Sequence, residues 1–104
     1  EGAYYHQLGS IKDQQGDYKE AVRYYQQALS IRERIFPSTD PLLATSYNSI
    51  GAVYDDMGDF SQALSFYNKA LDIRLKTLPP SHPDLATSYN NIGTMYEAMG
   101  NYLK

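Results

Sequence analysis

Apolar and aromatic residues return at helical spacing through most of the chain. Tyr47, Ile50, Gly51 and Tyr54 fall at i, i+3, i+4 and i+7, and beyond Gly58-Asp59 the spacing resumes with Phe60, Ala63, Tyr67, Ala70 and Leu71. This predicts two amphipathic helices joined by a short turn. The first should begin near Pro41, since proline suits the first helical turn and Asp40 can cap it; Pro83 and Ser81 repeat the arrangement. Gly58 and Gly100 suit the left-handed position just past a helix C-terminus. The second helix should close at "TLPPSHPD", because proline cannot continue a helix.

The pattern recurs when the chain is shifted by 42 positions: Tyr5, Tyr47 and Tyr89 coincide, as do Leu8, Ile50 and Ile92, then Gly9, Gly51 and Gly93, and Gly16, Gly58 and Gly100. In the second helices Ala21 matches Ala63, Tyr25 matches Tyr67, and Ile31-Arg32 matches Ile73-Arg74. The expected organisation is a single all-α array divided at 1–39, 40–81 and 82–104, with two complete helix pairs and one further first helix. A mid-helix glycine costs about 1 kcal/mol relative to alanine. Its recurrence points to close helix approach, with Gly51 facing Ala63 and Gly9 facing Ala21. Lys12 stands where the later units have Tyr54 and Tyr96, which marks the first unit as a candidate outer end.

The order of aromatic, Leu-Gly or Ile-Gly, tyrosine, alanine, aromatic and alanine resembles the tetratricopeptide repeat. It is carried by Tyr47, Ile50-Gly51, Tyr54, Ala63, Tyr67 and Ala70, by Tyr5, Leu8-Gly9, Ala21, Tyr25 and Ala28, and by Tyr89, Ile92-Gly93 and Tyr96. The usual period of that family is about 34 residues. The longer period here, with "HPD" opening a unit, is similar to the repeats of kinesin light chains. The resemblance implies an α-solenoid of antiparallel helix pairs whose first helices line a concave groove for peptides. It also implies groove positions at one, four, eight, eleven and twelve residues after the small residue that precedes each seam. These are Ala3, His6, Ser10, Asp13 and Gln14; Thr45, Asn48, Ala52, Asp55 and Asp56; and Thr87, Asn90, Thr94, Glu97 and Ala98.

Charge sharpens this expectation. The formal net charge is −3, with no long run of like charge, so neither nucleic acid nor an anionic membrane is an expected partner. Asp13, Asp55, Asp56 and Glu97 gather toward one end of the first helices, and no lysine or arginine occupies a groove position. A cationic clamp for acidic tails is therefore missing, and a neutral or basic peptide is the expected ligand. Asn48 and Asn90, one unit apart, can each donate to and accept from a peptide backbone; they can equally face solvent or support a neighbouring helix, and the carboxylates can equally form a solvated rim.

Candidate chemistry is sparse. The absence of cysteine removes disulfides, thiolate ligands and a thiol nucleophile together. Asp55 and Asp56 diverge on a helix as sequence neighbours, so they do not oppose one another as an acid and base pair. His6 and His82 are isolated, with solvated or capping roles expected, and the glycines form no phosphate-binding loop. No enzyme activity, metal or cofactor is expected. With no apolar stretch near the roughly 18 residues of a membrane span and no secretory leader pattern at "EGAYYHQLG", a cytoplasmic protein is expected. The alternative to a peptide scaffold is a self-assembling structural module, in which the last helix exposes Tyr89, Ile92, Met95, Tyr96 and Met99 and forms homo-oligomers. That helix could instead serve as the cap of the array.

Overall fold

In the computed structural model, which describes residues 2–103 and the side chains of 2–100, the helical pattern becomes five helices: α1 (Gly2–Gln14), α2 (Tyr18–Ile35), α3 (Pro41–Asp56), α4 (Phe60–Thr77) and α5 (Pro83–Leu103). Each packs on the next, so α1 pairs with α2 and α3 with α4, while α2 meets α3 and α4 meets α5 across the junctions. The all-α solenoid expected from the repeat is the architecture found.

Local chemistry sets the boundaries. The Asp40 carboxylate accepts from the Leu42 N–H at 2.9 Å, capping α3 immediately before Pro41. At α5 the cap is His82, whose Nδ1 accepts from the Asp84 N–H at 3.0 Å. The expected cap, Ser81, is thus replaced by an imidazole that reaches the first-turn N–H. Gly16 and Gly58 adopt φ +78° and +81°. Each closes its helix with the paired bonds of a Schellman turn, from Gly16 to Asp13 and Asp17 to Lys12, and from Gly58 to Asp55 and Asp59 to Tyr54. Gly100 does not: α5 runs through it to Leu103. Glycine permits the left-handed turn without compelling it, and among the described residues the turns at Gly16 and Gly58 lead into a second helix that packs back.

The core lies between helices in three clusters. Ala21 and Tyr25 of α2 meet Ile50 and Val53 of α3. Leu43 and Ala44 of α3 meet Ala70 and Ile73 of α4. Ala63 and Tyr67 of α4 meet Met95 of α5. Tyr54 packs against both the first and the third of these clusters. The small positions act as expected within the pairs, although the glycines press chiefly on a ring. A Cβ at Gly9 would lie 2.7 Å from the Tyr25 ring, and one at Gly51 would lie 2.9 Å from the Tyr67 ring and 3.2 Å from the Ala63 carbonyl oxygen. At Gly93 a Cβ would meet nothing within 4 Å, so this third glycine has the sequence of a packing device and no described helix to pack on.

The same periodicity explains an exposed residue. Val53 and Met95 are buried against the preceding helix pair, whereas their counterpart Ile11 is 49% exposed. Met95 therefore belongs to the core and not to the apolar stripe expected on the last helix. Of that stripe, Tyr89 and Tyr96 are exposed, Met99 is half-buried, and Ile92 is half-buried against the Met95 cluster.

Candidate functional site

The first helices α1, α3 and α5 provide the candidate groove positions, and two interactions relate them to one another. Asn91 of α5 donates through Nδ2 to Oδ1 of Asn48 on α3 at 3.2 Å. Near the C-terminal ends of α1 and α3, Asp13 faces Asp56, and burial followed by a bond and charge repulsion from Asp56 pushes the Asp13 carboxyl up to about 6. Asp13 Oδ1 has almost no solvent access and no hydrogen-bond partner. A proton held between the two carboxyls would supply one.

The acidic group extends along α3. Burial, then the charge of Asp56, raises the Asp55 carboxyl above its ordinary value. Beneath these carboxylates the Tyr67 hydroxyl is pushed up to about 12, first by burial and then by Asp55 and Asp56. Tyr25 is raised too, chiefly by burial with a contribution from Asp13. Among the described residues the salt bridges are Arg23–Glu20, Lys76–Asp72 and His82–Asp84, none of which engages this group. Glu97, the fourth carboxylate, is exposed on α5. Among the described residues no set of three histidine, cysteine or acidic side chains converges as a metal site would require.

The remaining positions divide by what they already bond. His6 is half-buried, its ring centroid 4.9 Å from that of Tyr25; burial and then Arg32 lower its affinity for a proton, and its Nδ1 has no partner. The Thr45 hydroxyl donates to the Pro41 carbonyl at 3.2 Å and that of Thr94 to the Asn90 carbonyl at 2.8 Å, so both are spent on their own helices. Ser10 and Ala52 are half-buried, whereas Ala3, Gln14, Thr87 and Asn90 are exposed. The two asparagines singled out by sequence thus differ: Asn48 is held by a neighbouring helix through Asn91, and Asn90 is open.

Sequence reasoning missed a polar ladder across the junctions. Buried Arg32 donates through Nη1 to Ser46 Oγ at 2.8 Å and to the Leu42 carbonyl at 3.4 Å, while Arg74 donates to Ser88 Oγ at 2.8 Å. Burial lowers the Arg32 guanidinium's affinity for a proton, partly opposed by Asp40. The signal was present in the equal 14-residue separation of Arg32 from Ser46 and Arg74 from Ser88.

An array of helix pairs joined in this way defines a repeat scaffold. The Tetratricopeptide repeat family profile matches residues 1–76, and the chain belongs to that family, whose repeats generally mediate protein–protein interaction on a scaffold that is generally non-catalytic. Among solved structures it is similar to BtubC (BKLC) from P. vanneervenii, with 26% identity, TM-score 0.90, and coverage of 98% of this chain and 41% of that one. It is also similar to the nearly identical TPR-like repeats of a kinesin-light-chain-type protein from Podosopora anserina, at 25% identity and TM-score 0.82, covering 95% of this chain and 47% of that one. The chain therefore spans less than half the length of each. No curated protein matches the sequence. No helix among the described residues is long and apolar enough to cross a membrane.

Proposed function

We propose that the face formed by α1, α3 and α5 binds a short neutral or basic peptide, as a non-catalytic interaction scaffold. The observation that carries this reading is the carboxylate group of Asp13, Asp55 and Asp56, which crowds one end of the face without a described salt bridge. A lysine or arginine of a ligand would relieve the repulsion within that group and gain charge-assisted hydrogen bonds. Asn90 would contact the peptide backbone, and Asn48 would offer its amide N–H groups while its oxygen holds Asn91. His6, Ser10, Ala52, Thr87 and Glu97 would complete the lining; the hydroxyls of Thr45 and Thr94, already engaged, would contribute shape more than hydrogen bonds.

A random-peptide display selection against the chain, run beside an Asn48→Ala, Asn90→Ala double variant of verified helicity, tests the reading. Enrichment of a neutral or basic motif by the parent alone is expected, with affinity falling as salt is raised. Enrichment of an acidic motif, or of nothing, would overturn it.

A further inference from the structure

The buried clusters that join one helix pair to the next are apolar: Ala21 and Tyr25 against Ile50 and Val53, then Ala63 and Tyr67 against Met95. Contacts of this kind are non-directional, so they favour burial without selecting one alignment along a helix. A hydrogen bond is exacting in both distance and direction. Arg32, only 6% exposed, leaves the last turn of α2 and donates through Nη1 to Oγ of fully buried Ser46 at 2.8 Å and to the Leu42 carbonyl at 3.4 Å. Arg74, in the last turn of α4, repeats the bond to buried Ser88 of α5, again at 2.8 Å. Among the described residues neither guanidinium forms a salt bridge, so the serine is the side-chain partner of each.

We infer that Arg32 and Arg74 are positioning residues: each fixes the axial register of the following first helix, and so where Asn48 and Asn90 stand on the face formed by α1, α3 and α5. Four residues before and after Ser46, on the same side of α3, are Leu42 and Ile50, whose side chains accept no hydrogen bond. A slip of one turn in either direction would therefore leave the buried guanidinium against a side chain that cannot accept from it. On α5 the corresponding residues are Asp84 and Ile92. Arg74 and Asp84 already line one cavity of about 50 Å³, so the second junction is held strictly in one direction and loosely in the other. Asn48 and Asn90 each follow the held serine by two residues, about 200° round the helix and about 3 Å along it, so a serine fixed at the junction fixes the amide on the opposite side. A buried polar pair adds little net stability over apolar side chains in its place; what these pairs add is one permitted alignment. The consequence for binding rests on the peptide-scaffold reading proposed above, whereas the register does not.

The chain has no cysteine, so spin labels can be placed at chosen pairs of introduced cysteines. Lys19→Cys with Leu75→Cys, both exposed, reports α2 against α4, which moves with α3; Leu75 lies 14 residues beyond Ser61, the counterpart of Lys19, an axial offset of about 21 Å. Leu75→Cys with Glu97→Cys reports α4 against α5. Pulsed electron double resonance should give one narrow distance for each labelled parent. In Arg32→Met, Ser46→Ala the first distance should broaden or split by about 5 Å, one helical turn, and in Arg74→Met, Ser88→Ala the second should do the same. Thermal unfolding midpoints should stay within a few degrees of the parent's, because each double variant removes donor and acceptor together and leaves no buried group unpaired. A single parent-like distance in either folded double variant would overturn the inference. Loss of the folded state in both would also overturn it, by making the contacts supports of stability instead of alignment. The distances are read without a ligand, so an empty peptide selection would leave the register inference standing, and unchanged distances would leave the peptide-scaffold reading standing.

Discussion

A single hydrogen atom at Gly51 decides whether α3 and α4 can meet. Gly51→Ala should destabilise the chain by about 1–3 kcal/mol, because the methyl would stand 2.9 Å from the Tyr67 ring and 3.2 Å from a backbone oxygen. Gly93→Ala should stabilise it by up to about 1 kcal/mol, the helix-propensity difference with no steric cost. Urea unfolding of the two variants side by side checks both signs. Asp13 gives a pH-dependent counterpart. Its folded pKa, about 6, lies above the ordinary value of 3.8, so the folded state holds the proton more tightly and this group's contribution to stability rises as pH falls from about 6 toward 4. His6, whose pKa is lowered by burial and Arg32, acts in the opposite sense as pH falls through its ordinary value of 6.5. The difference between parent and Asp13→Asn therefore isolates the carboxyl: the variant should lose that gain on acidification, as measured by unfolding midpoints between pH 7 and pH 4.5.

At the scale of elements, helix starts and junctions are set by groups that are easily exchanged. Asp40→Ala should cost about 1 kcal/mol through loss of the bond to the Leu42 N–H, and Ser81→Ala close to nothing, because His82 caps α5. Thermal melts followed by circular dichroism distinguish them. Ser46→Ala should cost about 1–3 kcal/mol, since it takes an acceptor from the buried Arg32 guanidinium. The helices themselves were legible because Tyr, Gly and Ala recur at helical spacing and proline and glycine mark the breaks. The end of α5 was not, because Gly100 has the same sequence setting as Gly16 and Gly58 and differs only in lacking a described second helix beyond it. Met95 departs from the expected stripe because α5 lacks a neighbour, among the described residues, only on its Gly93 side; its other side packs on α4, as Val53 on the equivalent side of α3 packs on α2. The candidate groove was legible as a set of positions but not as a set of interactions, since the register that brings Asn91 to Asn48 depends on how α5 lies beside α3.

For the whole molecule, stability is carried from one helix pair to the next with little long-range wrapping, as expected of a quasi-one-dimensional array. Leu29 packs against the clusters joining α2 to α3 and α3 to α4, and Tyr54 reaches further, against the cluster joining α2 to α3 and the cluster joining α4 to α5. Stretched by its ends in an optical trap, the chain should then give way in one rupture, because loosening either junction removes support from the other. Tyr54→Ala should convert that rupture into two smaller ones. One phenol ring thus makes neighbouring units share a mechanical fate, and a pull at one end is felt across the molecule before any helix unravels.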